Sequence, residues 1–194
     1  LHLVLRRQRQ MCIRDRGPDA LHQTPELMVS SAGEDSPSNL SPIEVVQQLI
    51  REWSLEQHPE GGWFRELHRS PSLVTRADGQ QRAAITSILY LLDAGSRSRW
   101  HAVHHADEVW THLQGTPLSL WTLEPEGETA VQHVLSMHNP VHVVPAGHWM
   151  AARSEGQYSL VSCCVGPGFD FVDFEMLRDR PLSQQPSGAL SELI

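Results

Sequence analysis

The sequence predicts an all-β domain, a β-sandwich or barrel, with one helix in front of it. Two observations carry that prediction. Between residues 62 and 165 the apolar and β-branched residues fall into nine short runs, each closed by turn residues, and many short strands at close spacing read as a sandwich or barrel. Ahead of them, Ser41-Pro42-Ile43-Glu44 spells a capping box with proline at the first helical position.

The elements follow in order. Ile43, Val46, Ile50 and Trp53 repeat at helical spacing after the capping box, so a helix starts at Ser41 and ends near Ser54. The β-like runs are 62–69, 83–92, 98–104, 107–114, 117–123, 129–136, 140–144, 148–153 and 157–165. Gly95, Gly115, Pro125 with Gly127, Asn139-Pro140, Pro145 with Gly147, and Gly156 separate them. The folded domain is therefore expected over 41–179. Residues 17–40 are rich in Ser, Pro, Gly and acids and read as a disordered leader. Residues 180–194, with two prolines and several Ser and Gln, read as a loose C-terminal tail. The first sixteen residues, LHLVLRRQRQMCIRDR, lack the apolar region and small-residue cleavage site of a signal peptide. The string MCIRDR resembles a translated sequencing adaptor, and 1–16 is expected to be a non-native lead-in.

Charge and composition remove several function classes. The chain of 194 residues carries a formal −8. Five of its fifteen arginines but only one acid lie in the first sixteen residues, so the body is more acidic still. An acidic body without a basic stripe argues against nucleic acid and anionic membrane as partners. There is no lysine, which removes Schiff-base chemistry and the phosphate-binding lysine of a P-loop. No apolar run approaches the roughly 20 residues of a membrane helix. Cys163 and Cys164 are neighbours on a strand and point to opposite faces, so they read as packing residues and not as a redox pair. Nothing demands an oxidising compartment, and a cytoplasmic location is expected.

The stretch WHAVHHADEVWTHLQG, 100–115, holds four of the twelve histidines, two acids and two tryptophans. Here the chain resembles the cupin superfamily. Gly95, five residues, His101, then Glu108, six residues, Gly115 match the first cupin motif except at its second histidine, where Val103 stands. Pro145-Ala146-Gly147 matches the start of the second motif. The blocks HPEGGWFRELHRS, RAAITSILYLL, SRWHAVHHADEVW, VVPAGHWMAA and CVGPGFDFVDFEM resemble more specifically the largely unassigned family called cupin-5, over about 43–178. The resemblance implies a jelly-roll (double-stranded β-helix) barrel, often dimeric, with a small-molecule pocket in its mouth. It implies no agreed reaction. Three departures matter. Val103 replaces the second histidine of the motif. Met150 stands at the third ligand position, with His148 two residues earlier. Thr111 and His112 follow Trp110 where members of the family usually have histidine at once.

Strand alternation then sorts the candidates. If Glu108 faces inward, so do Trp110, His112 and Gln114. If His101 faces inward, so does Val103. The family match puts Met150 inside, which brings His148 with it. The expected constellation is His101, Glu108, His112 and His148, with Trp110 and Met150 as apolar wall. Three readings of it stay open. A divalent metal (Zn, Fe, Ni or Mn) held by His101, Glu108 and His148 would need imidazole and carboxylate donors converging at about 2.0–2.2 Å. Metal-free acid–base chemistry of the isomerase or epimerase kind uses His101 or His112 as base, Glu108 as its orienter and Tyr90 or Tyr158 as acid; the similar cupin sugar epimerases pair a histidine, an acid and a tyrosine. Simple binding of a small polar, sugar- or acid-like molecule uses the same groups for hydrogen bonding alone. His58, with Glu60 and Arg65, is placed at the pocket rim. Arg82 and Thr86 are candidates to hold a substrate carboxylate or phosphate. Phe169, Phe171 and Phe174 are expected to fill the barrel floor or a dimer seam. His104, His105, His133, His138 and His142 are expected in turns or facing solvent. A homodimer that binds a small-molecule ligand is the expected assembly.

Overall fold

The computed structural model describes residues 40–194. The expectations for the 1–16 lead-in and, but for Leu40, the 17–40 leader lie outside the described residues. The helix α1 runs Pro42–Glu52, and its capping box is formed: the Ser41 side chain accepts from the Glu44 N–H while the Glu44 carboxylate accepts from the Ser41 N–H. Two of the four backbone donors that every helix leaves open are thereby satisfied.

Thirteen strands follow: β1 (Glu56–Gln57), β2 (Trp63–Arg69), β3 (Leu73–Thr75), β4 (Gln81–Ala83), β5 (Thr86–Asp93), β6 (Arg97–Val103), β7 (Asp107–Gly115), β8 (Leu118–Leu123), β9 (Val131–Leu135), β10 (Val141–Val144), β11 (Trp149–Ser154), β12 (Tyr158–Gly166) and β13 (Phe174–Met176). They form a six-stranded sheet in the order β1-β2-β5-β12-β7-β10, a five-stranded sheet in the order β13-β6-β11-β8-β9, and a small β3-β4 hairpin. All of the pairings are antiparallel. The architecture is the jelly-roll barrel that the sequence resemblance implied. Among the described residues no helix is long and apolar enough to cross a membrane.

Alternation along the strands builds three apolar layers. Between the sheets lie Tyr90 and Leu92 of β5, Trp110 of β7, Leu118 and Leu120 of β8, Met150 of β11 and Val161 of β12. On the outside of the six-stranded sheet, Val46 and Leu49 of α1 cover Leu89, Leu91 and Leu160. On the outside of the five-stranded sheet, Trp100, Trp121, Leu123 and Trp149 form a third layer with Leu177 and Leu193.

That third layer corrects the expectation of a loose tail. Residues beyond 180 lie against the sheet: the Trp100 indole donates to the Leu190 carbonyl at 3.1 Å and Arg97 to the Glu192 carbonyl at 2.7 Å, and Leu193 is buried. The cause is the outward face of β6, β8 and β11, which carries three tryptophans. A sheet face that apolar needs a cover, and the tail supplies it.

Candidate functional site

The barrel interior is packed at one end and open at the other. The open end holds a cavity of about 290 Å³, placed where small-molecule sites in barrels usually lie. Its deep walls come from both sheets and from the turn 58–62. Thr86, Ile88 and Tyr90 face it from β5, His101 and Val103 from β6, Glu108 from β7, and Cys163 and Val165 from β12. His58 and Glu60 reach it from the turn. Phe64, Phe169, Phe171 and Phe174 make an aromatic wall, and Glu66, Arg69 and Asp170 complete the lining.

The turn HPEGG carries Glu60 into the barrel because its two glycines take backbone angles that other residues rarely adopt. Gly61 has φ +114° and Gly62 φ +68°, and a Cβ on Gly61 would run into the Arg97 carbonyl oxygen. Glu60 is thus pressed against β6, where Oε1 accepts from the Ser98 hydroxyl at 3.0 Å and Oε2 lies 3.1 Å from His101 Nε2. The other ring nitrogen, His101 Nδ1, is 2.8 Å from the Arg99 carbonyl oxygen. A carbonyl can only accept, so Nδ1 carries a proton. His101 Nε2 faces Glu60 Oε2, and the imidazole and the carboxyl group form a single acid–base unit.

His58 stands on the other side of Glu60. Its Nδ1 accepts from the Glu60 N–H at 3.4 Å and lies 3.5 Å from Glu60 Oε2. The N–H can only donate, and burial pushes the imidazole below its ordinary range despite the nearby Glu60 charge. A neutral His58 in that position keeps its proton on Nε2. The ring is edge-on to Phe64, with centroids 4.6 Å apart.

Glu108 faces this group from the opposite sheet, beside Cys163. Burial, reinforced by the charge of Glu60, pushes its carboxyl up to about 8, against a smaller opposing pull from the Cys163 hydrogen bond. Glu108 is accordingly a carboxylic acid at neutral pH. Burial and the neighbouring carboxyl groups push the Cys163 thiol well up. Tyr90 is fully buried and its hydroxyl donates to the Gly61 carbonyl at 2.7 Å; burial also drives its titration well up.

Of the residues picked out from sequence, the structure brings His101, Glu108, Tyr90, Thr86 and His58 to the cavity. Several expectations need correction. Glu108 was expected to orient His101, but Glu60 is the carboxylate in contact with it. The Tyr90 hydroxyl proton is engaged with a backbone carbonyl, and Tyr158 lies in the layer under α1, where its hydroxyl meets the Gln114 amide. His112 faces inward but lies four residues along β7 from Glu108, about 13 Å at ~3.3 Å per residue, and its Nε2–H donates to the Thr116 carbonyl at 2.9 Å. Trp110 sits behind the cavity in the barrel core, edge-on to Tyr90. Met150 is in the same core, paired in register with His101. His148 belongs to the turn before β11 and not to the strand, so alternation does not carry it into the cavity. Arg65 alternates outward from Phe64 and donates to the Trp53 carbonyl. Arg82 is not on the strand of Thr86: it lies in the β3-β4 hairpin and binds Asp173 at 2.6 Å.

A metal held by His101, Glu108 and His148 requires all three donors to converge in the cavity. His148 is outside the cavity, and Val103 and Met150 put apolar side chains where the resemblance looks for ligands. Among the described residues no group of three or more His, Cys, Asp or Glu is arranged to hold a metal ion. The residues present do not fit the proposed His101, Glu108 and His148 site.

Cys163 and the phenylalanine wall are site components that the sequence reading does not supply, and Glu60, expected at the rim beside His58, lies against His101 inside the barrel. The twin glycines after Glu60 were the available signal for a turn that presses a side chain inward. The three phenylalanines line the cavity and pack on one another, with centroids 5.1–6.0 Å apart, instead of filling the floor. The remaining histidines are peripheral: His104 pairs with Glu175 at 2.9 Å, His105 occupies a turn with φ 65°, and His133 and His142 stack at 3.7 Å.

Comparison with known proteins gives a consistent picture. The model of the family Cupin_5, described as Cupin superfamily (DUF985), matches residues 47–177. The chain is similar to a hypothetical protein from Leishmania major, with 29% identity over 66% of this chain and 85% of that one and a TM-score of 0.62. It is similar also to a crystallised protein from Shewanella oneidensis, with 36% identity over 67% of this chain and 82% of that one and a TM-score of 0.58. CapF, a capsular polysaccharide assembling protein from Staphylococcus aureus, shares the fold at 13% identity over 63% of this chain and 31% of its own, with a TM-score of 0.51. No curated protein matches the chain.

Proposed function

The chain belongs to the Cupin_5 (DUF985) family of the cupin superfamily, and from that premise we propose that it binds a small organic molecule in the barrel and moves a proton on it, in the manner of an isomerase or epimerase. Fold alone does not select a reaction, so the proposal rests on the site. The observation that carries it is the pairing, across one cavity, of two carboxyl groups set to different tasks. Glu60 Oε2 lies 3.1 Å from His101 Nε2 on the β6 side. Glu108, pushed up to about 8, holds its own proton on the opposite sheet. A buried carboxylic acid facing an imidazole–carboxyl pair across a cavity is a usual basis for separate acid and base roles.

In this reading the His101–Glu60 unit accepts a proton from one face of the ligand and Glu108 supplies one at the other. His101 is held in place by the Arg99 carbonyl, and Glu60 by Ser98. Thr86 fixes the aromatic wall by accepting from the Phe169 N–H at 2.9 Å. The test is solvent-deuterium incorporation, followed by NMR, into a panel of small hydroxy-carbonyl compounds. Exchange is expected with the wild type and is expected to fall by about 10²–10⁴-fold in Glu108→Gln or His101→Ala. Exchange that persists unchanged in both variants refutes the proposal. A compound that occupies the cavity without exchange makes the protein a binder and not an enzyme.

The expected homodimer remains a proposal. Leu113 of β7 and Val141 and Val143 of β10 stand exposed and offer an apolar strip for a second copy. Sedimentation velocity decides it, and a monomer at micromolar concentration refutes it.

A further inference from the structure

We infer that the cavity selects neutral molecules with a flat apolar face and one hydroxyl or carbonyl group, and rejects organic anions and cations. The inference rests on reading this cavity as the ligand site and goes on to name what that site takes.

The cationic groups around the cavity are already committed to other partners. Arg69 is the one arginine of the lining, and it is already engaged on three nitrogens. Nε and Nη2 bind Glu66 at 3.1 and 2.6 Å, and Nη1 donates to the Phe169 carbonyl at 2.9 Å. Arg82, which the sequence offered for a carboxylate or phosphate, is committed to Asp173 outside the cavity. His101 faces Glu60, and His58 is neutral. An anion entering this site meets Glu60, Glu66 and Asp170 with no uncommitted cation to offset its lost hydration. A charge moved out of water without a partner is strongly disfavoured.

At the mouth Glu66 is paired with Arg69 and the solvent-exposed Asp170 caps the Val172 N–H, and a cation fares no better at the deep end. The nearest carboxylate there, Glu60, already accepts from Ser98 and faces His101, and Glu108 is in its acid form. What the deep end does offer is hydrogen bonding to a neutral group. The Glu108 carboxyl both donates and accepts, and the His58 Nε2–H donates. The mouth offers the faces and edges of Phe169, Phe171 and Phe174, set at 67–81° to one another. Such a corner receives a flat ring by stacking and edge contact. The cavity of about 290 Å³ suits a molecule of one ring.

The test is a charge series of one shape: benzyl alcohol, benzoate and benzylammonium, titrated by NMR at pH 7 and located in soaked crystals. Benzyl alcohol is expected in the cavity, with both ions binding about tenfold or more weakly. Glu66→Gln releases Arg69 and is expected to raise benzoate several-fold relative to benzyl alcohol. Either ion binding as well as benzyl alcohol, or benzyl alcohol failing to enter the cavity, overturns the inference. An inverted charge series with deuterium exchange still dependent on Glu108 sinks this inference and leaves the proton-transfer reading intact. Selective neutral binding with no exchange does the reverse.

Discussion

Replacing Glu108 by glutamine keeps the shape of the side chain and removes its ability to ionise, and the consequence for stability can be worked from the site. Burial carries the carboxyl from an ordinary 4.5 to about 8 in the folded protein. Each pH unit of that displacement corresponds to about 1.4 kcal/mol, so ionising Glu108 inside the barrel costs about 5 kcal/mol. Between those two pH values the folded protein holds a proton that the unfolded chain has lost. Stability therefore falls as pH rises through this window, and the contribution is complete below 4.5 and gone above about 8. Five kcal/mol is a large share of the roughly 5–15 kcal/mol of a whole domain. Any water that reaches the carboxylate reduces it, which makes the figure a ceiling. The assay is urea unfolding of the wild type and Glu108→Gln at half-unit steps from pH 4.5 to 8.5. Taking the difference between the two proteins cancels the titration of every group that does not interact with Glu108, leaving Glu60 and Cys163 as its coupled neighbours. The variant is expected to gain on the wild type steadily across the window, by several kcal/mol in total. A difference that stays flat with pH would show that Glu108 is ionised throughout, and the acid assigned to the proton-transfer site would be lost with it.

Three further outcomes are expected. Gly61→Ala should cost about 1–3 kcal/mol, because the new Cβ meets the Arg97 carbonyl oxygen and the Tyr90 hydroxyl loses its seat on the Gly61 carbonyl; an unchanged urea midpoint refutes the account of the turn. Asp173→Ala should destabilise by about 3 kcal/mol, since it leaves Arg76 and Arg82 without the carboxylate they share. Burial alone would raise the Asp173 carboxyl, but the two guanidinium groups hold it below its ordinary 3.8. Its contribution is thus present above 3.8 and lost as pH falls through the lower folded value, and a wild-type-to-variant difference that does not shrink in acid counts against the network. Leu193→Ala should lower stability by about 2–4 kcal/mol, measured by thermal melting, because the side chain is buried against Trp100 and its neighbours; an effect within about 0.5 kcal/mol, as at an exposed position, would return the tail to a loose segment.

Periodicity made the barrel legible and left the site only half so. Each run from 62–69 to 157–165 has a strand in it, because a period-2 pattern records which side chains face the core. The pieces that were missed, β1, β3 and β13, are two or three residues long, too short for any alternation to show. The run 83–92 joins the end of β4 to β5, because Ala84 and Ile85 interrupt it without a glycine or proline to mark the break. Alternation, once the resemblance sets Glu108 and His101 inward, does not tell depth along the barrel, which is why His112 and Trp110 are grouped with them. Partnership was the hardest thing to read. Glu60 lies 41 positions before His101 in the chain and on no long strand, so nothing in local spacing ties the two together. Their contact is created by a glycine turn pressed against β6, a long-range event that sequence records only as HPEGG. The same turn decides the chemistry. With Glu60 serving His101, Glu108 is left without a cationic neighbour, and burial then makes it an acid.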